Sequence, residues 1–172
     1  DHEVTGVALT TKMGVLSPAA IRDLSSFFKN FDGRAVLTSE ARSFSAGFDL
    51  NFVLQQIEAD DWQTLDEALY DLQMLTVLLS EKKVVAAVFG HCLGAGLEVA
   101  LGCPLILAAA ETQIGLPEAK VGLIPAGSGC ARMHLRHQDS AKELSETVIR
   151  LTLGTVAGNA DEARKLGYLR GT

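Results

Sequence analysis

An apolar run, Val84-Val85-Ala86-Ala87-Val88-Phe89, stops abruptly at Gly90, and the glycine-rich stretch beyond it constrains the chain more than any other. Gly90, Gly94 and Gly96 punctuate a tight turn, after which an apolar helical pattern begins. This spells strand, tight loop, helix N-terminus. Such a loop offers free backbone N–H groups at the positive end of a helix, a site for an oxyanion or a phosphate. Glu98 falls just inside the helix, among Leu97, Val99, Ala100 and Leu101, and a second carboxylate, Glu118, comes after Pro117 in a similar glycine-punctuated setting. Taken singly, Glu98 could merely favour the helix dipole and Glu118 could be a solvated turn residue. Together they carry more weight. An ionised carboxylate in apolar surroundings is costly unless it is used or paired, and such surroundings raise its pKa toward neutrality, where it can both give and take a proton.

The 172 residues predict a single domain, 1–172, able to bury roughly 70% of its unfolded surface. A net charge of −6 argues against non-specific nucleic-acid binding and against an anionic membrane surface. It leaves room for an anionic ligand at a local cluster such as Lys82-Lys83 or Arg42. Cys92, Cys103 and Cys130 are odd in number and have no paired spacing, so reduced thiols and a cytoplasmic setting are expected. No charge-free apolar run reaches the length of a membrane span. Both ends read as trimmed, so a fragment of a longer protein is expected.

In order, Val4 to Thr10 can form a strand. Ser17-Pro18 starts a helix with an apolar face of Ile21, Leu24, Phe27, Phe28 and Phe31 that ends at Asp32-Gly33. Arg34 to Thr38 is a short strand leaving through the small-residue loop Ser39 to Asp49, and a helical pattern resumes at Leu50. Asp60 to Lys82 reads as a long amphipathic scaffold helix, with Trp62, Leu65, Leu69, Leu72, Leu75 or Thr76, and Leu79 on one face. Val84 to Phe89 is a strand, Gly96 to Gly102 a helix, Leu105 to Ala109 a strand and Thr112 to Gly115 a short extended piece. Past Gly129 the pattern is helical, and Asn159 caps a last helix, Ala160 to Leu166, closed by Gly167. Short strands alternating with helices place the chain in the α/β class.

Other chemistries fit less well. Gly94-Ala95-Gly96 has two glycines of a dinucleotide fingerprint, but Val99 stands at the third; Gly127-Ser128-Gly129 fails likewise at Arg132. No G-x-S-x-G occurs, and Ser43 to Gly47 only approximates it. Ser45 or Ser128 with His91, His134 or His137 would make a nucleophile pair, but turn serines are the simpler reading. His134 and His137 could hold half a metal site with no third ligand evident, so no metal is expected.

Three motifs in order, SFSAGFDL (Ser43 to Leu50), FGHCLGAGLEVAL (Phe89 to Leu101) and IGLPEAKVGLIPAGSG (Ile114 to Gly129), closely resemble those of the crotonase, or enoyl-CoA hydratase/isomerase, superfamily. The resemblance runs from about Val4 to Gly171. The tail, NADEARKLGYLRGT, is similar to that of the hydratase module of bifunctional proteins that also carry a 3-hydroxyacyl-CoA dehydrogenase.

The resemblance implies a crotonase-like spiral of ββα units, assembled as a homotrimer or hexamer. It implies an acyl-CoA thioester substrate whose oxygen sits in an oxyanion hole made by the N–H groups of Phe48 and Ala95. Two donors on rigid turns suit a developing enolate charge. Glu98 would activate a water for attack at Cβ and Glu118 would protonate Cα. Ala46, Phe48, Asp49, Leu50 and Gly94 would line the coenzyme A site, with Arg42 a phosphate partner. Enoyl-CoA hydratase activity in fatty acid β-oxidation is thus implied, with neither metal nor redox cofactor. The alternatives are an enoyl-CoA isomerase on the same site, and a weakly active coenzyme-A-binding or assembly module of a dehydrogenase fusion.

Overall fold

The computed structural model describes residues 3–170, so both ends of the expected 1–172 domain lie outside the described residues. Four parallel strands form the main sheet: β1 (Val4–Leu9), β2 (Arg34–Ser39), β3 (Lys83–Val88) and, at the far edge, the strand Leu105–Ala108. Parallel neighbours cannot be joined by a hairpin, so each step needs a helical crossover. α1 (Pro18–Lys29) joins β1 to β2, and α2 (Leu50–Glu58) with α3 (Trp62–Ser80) joins β2 to β3. The register pairs Val4 with Arg34 and Arg34 with Lys83. Along β2 and β3 alternate residues are buried: Ala35, Leu37 and Ser39, then Val84, Ala86 and Val88. One face of the sheet is therefore packed by α1 and α3, which also pack on each other.

Local chemistry sets the helix ends. Ser17 accepts a bond from the Ala20 N–H, with Pro18 at the first helical position. Asp61 caps α3 through the Thr64 N–H. α3 starts two residues later than the sequence pattern suggests, and Trp62 is 57% exposed, its indole N–H bonded to Asp60 instead of packed in the core. The buried stripe begins at Ala68 and continues through Leu72, Leu75, Thr76 and Leu79.

The glycine-rich turn after β3 holds an element that the sequence pattern does not reveal. Gly90 turns the chain at φ +61°, and His91–Leu93 forms a second strand, β4, joined directly to α4 (Ala95–Gly102). Three residues are too few to show a strand period. After β5 (Leu105–Ala108), β4 pairs in parallel with β6 (Gln113–Gly115), which pairs antiparallel with β7 (Val156–Ala157). The order β3, β4, α4 is one ββα unit of the expected spiral; β5, β6 and a 3-10 turn over Glu118–Val121 echo it. The chain closes with α5 (Gly129–His137), α6 (Ala141–Thr152) and α7 (Ala160–Lys165), the last capped by Asn159 through the Glu162 N–H.

Candidate active site

Two tight turns meet above the main sheet. In the first, Ser45 is fully buried; its hydroxyl donates to the Gly14 carbonyl at 2.7 Å and accepts from the Gly47 N–H at 3.1 Å. Leu16 then clasps the next residues, donating to the Gly47 carbonyl and accepting from the Asp49 N–H. That bridge uses both neighbours of Phe48 and leaves the Phe48 N–H without an acceptor among the described residues. In the second turn Gly94 sits at φ 54°, ψ −131°, a region nearly reserved for glycine, and its N–H is held by the Gly115 carbonyl at 3.0 Å. Ala95 opens α4, so its N–H is one of the unpaired donors of a helix start. A Cβ added at Gly47 would lie 3.7 Å from the Ala95 nitrogen, so the turns abut. Both Phe48 and Ala95 line one cavity of about 350 Å3.

Glu98 and Glu118 line the same cavity. Every residue of α4 is buried, and Glu98, one turn in, is 2% exposed. The Gly129 N–H donates to its Oε1 at 2.7 Å. Burial pushes the Glu98 carboxyl up to about 7; the Gly129 N–H pulls the other way, and the Glu118 charge adds to the rise. Glu118 is half-buried at the start of the 3-10 turn, where the sequence also allowed a solvated residue. Both its oxygens are shielded from solvent and have no hydrogen-bond partner among the described residues. Burial pushes Glu118 up to about 7 as well. A Cβ at Gly94 would come 3.3 Å from Glu118 Oε1, which sets this carboxylate against the second turn.

The remaining walls are apolar. Ala46 and Leu50 come from the first turn and α2. Leu69 and Leu72 come from α3, so the helix read as scaffold also shapes the cavity, and Leu123 and Ile124 close the far side. Nothing in the α3 pattern marked this, because a cavity-lining leucine and a core leucine look alike in sequence. Asp49 is not among the lining residues; its carboxylate caps α2, accepting from the Asn51 and Phe52 N–H groups. Arg42 also lies outside the lining, whereas Lys120 is within it.

The serines and histidines are placed elsewhere. Ser45 is spent on the first turn, Ser128 accepts from Arg132, and His91 faces Ser43 at 3.1 Å away from the cavity lining. His137 faces Glu143, and no cluster of three metal-ligating side chains occurs among the described residues. Cys92 and Cys103 are buried and Cys130 is exposed, all unpaired. Among the described residues no helix is long and apolar enough to cross a membrane.

Comparison with known proteins points the same way. The family model described as enoyl-CoA hydratase/isomerase matches residues 6–167. The chain is 32% identical over 150 residues to the "Probable 3-hydroxyacyl-CoA dehydrogenase" of Bacillus subtilis (strain 168), an alignment covering 84% of the chain. It is 35% identical over 137 residues to the "Peroxisomal fatty acid beta-oxidation multifunctional protein AIM1" of Arabidopsis thaliana, covering 74% of the chain. It spans 19% of the length of each of these two relatives. In three dimensions it is similar to the crystal structure of an enoyl-CoA hydratase from Bacillus anthracis, with a TM-score of 0.74, 24% identity, and coverage of 95% of this chain and 66% of that one.

Proposed function

From the premise that the chain belongs to the enoyl-CoA hydratase/isomerase family, we propose that it adds water reversibly across the double bond of a 2-trans-enoyl-CoA. The observation that carries this reading is the meeting of two carboxylates and two free turn N–H groups in one apolar cavity. The thioester oxygen would take the Phe48 and Ala95 N–H groups, which stabilise it as it becomes an enolate oxygen. Water between the carboxylates would lose a proton to one of them as its oxygen bonds Cβ; the other would deliver its proton to Cα.

The environments divide those roles. Glu98 already receives an N–H bond that favours its charged form, so it is the base. Glu118 accepts no hydrogen bond from another described residue, and burial outweighs the pull of its own backbone N–H, so it is the acid. The hydration is redox-neutral and has both proton carriers in the protein, so the proposal calls for no metal and no redox cofactor. A role in fatty acid β-oxidation, with a dehydrogenase domain in the same polypeptide, is supported by the names of the two relatives above. The resemblance implies assembly as a trimer or hexamer, and exposed apolar side chains on α5, on α6 and just past its end, Leu135, Val148, Ile149 and Leu153, support a contact surface there. A cytoplasmic setting is supported by the three unpaired cysteines.

Crotonyl-CoA and a 3-enoyl-CoA, offered separately, test the reading. A fall in enoyl absorbance with crotonyl-CoA supports hydration. Conversion of only the 3-enoyl substrate would make the site an isomerase, and tight coenzyme A binding without turnover would leave a binding module.

A further inference from the structure

Ser128 stands where an N-cap residue would, at the start of α5, yet its side chain makes no capping bond, and its backbone lies at φ +124°. A residue with a Cβ stays in that region only when its surroundings over-determine it. Here the surroundings are Arg132. The half-buried guanidinium sits one turn along α5, and its Nε donates to Ser128 Oγ at 3.2 Å. Its Nη1 donates to the Leu101 carbonyl of α4 at 3.1 Å and its Nη2 to the Thr76 carbonyl of α3 at 2.6 Å. One cation thus ties the turn before α5 to the helix that carries Glu98 and to the helix behind it. The turn faces Glu98 directly. The Gly129 N–H bonds its carboxylate, and the N–H groups of Gly127 and Ser128 also favour its charged form. A Cβ at Gly127 would come within 2.5 Å of Glu98 Oε2, and one at Gly129 within 2.9 Å of Oε1, so the backbone is pressed against the carboxylate.

We propose that Arg132, acting through Ser128, is a positioning residue that holds the Gly127–Gly129 turn against the Glu98 carboxylate. Arg132 is absent from the cavity lining, so it acts on the site through the turn and not by touching substrate. The titratable groups facing Glu98 are Glu118 from the 3-10 turn and Cys130 from α5. The Glu118 charge opposes its ionisation, whereas Cys130 is itself pushed up, by burial and then by the Glu98 charge, and stays neutral; the N–H groups are what keep Glu98 available as a base.

The consequence for catalysis rests on the hydratase reading, but the test does not. Carboxyl-labelled glutamate NMR tracks the titration of Glu98, its signal identified by its loss in Glu98→Gln. Ser128→Ala and Arg132→Gln each loosen the turn, and the midpoint of Glu98 moves upward by about one pH unit, because donors to the charged form are lost. Arg136→Gln removes a different α5 arginine, bonded to the Tyr168 carbonyl at 2.8 Å; it lowers the melting temperature and leaves the midpoint in place. If Arg132→Gln does not fold, Ser128→Ala decides. A midpoint in folded Ser128→Ala that coincides with the wild type overturns the proposal. An inactive wild type with a shifted variant midpoint would count against hydration and for this positioning role.

Discussion

The two glutamates differ in what surrounds them. Glu98 keeps the N–H of another residue as its partner, Glu118 keeps none from another described residue, and burial raises both to about 7. If Glu98 must be ionised and Glu118 protonated, hydration falls below neutrality as the base takes a proton and falls above it as the acid loses one. The pH profile of kcat/KM with crotonyl-CoA should therefore be a narrow bell centred near neutrality, with limbs that belong to the pair. A rate flat from about pH 5 to about pH 9 would contradict it. Glu98 was legible in the sequence because its neighbours Leu97, Val99, Ala100 and Leu101 leave no polar face on α4. Glu118 was less so: the second turn at Gly94, which lies against its carboxylate, is far away in sequence and is brought near by the pairing of β4 with β6.

Elements carry those residues, and α2 shows how. Asp49 was expected beside the coenzyme, by resemblance; in the structure its carboxylate caps α2, the helix that brings Leu50 and Val53 to the cavity. Asp49→Asn retains the cap and should bind acyl-CoA nearly as the wild type does. Asp49→Ala should lose about 1 kcal/mol of stability and raise KM. Thermal unfolding and kinetics on the two variants check this; equal loss in both would return the role to the charge. Helices α1, α3, α4 and α7 were readable from caps and periodicity. Strands β4 and β7 were not, since elements of three and two residues carry no period and exist through their partners in β6. The wall formed by Leu69 and Leu72 was hidden for a related reason: the stripe on α3 serves core and cavity alike.

At the scale of the whole molecule, the parallel sheet is a platform and the second, smaller sheet is what places the two turns over it. The class was evident from alternating strands and helices, and the ordered motifs pointed to the spiral; the division into two sheets needed long-range pairing that no local pattern encodes. Central to the proposed mechanism is that Glu98 and Glu118 act on one water in the shared cavity. The most direct test is the loss of crotonyl-CoA absorbance in the wild type beside Glu98→Gln and Glu118→Gln, with acyl-CoA affinity measured for each. The mechanism predicts an active wild type and a drop on the order of a hundredfold or more in each variant at little changed affinity. An active wild type whose rate survives either substitution would contradict it.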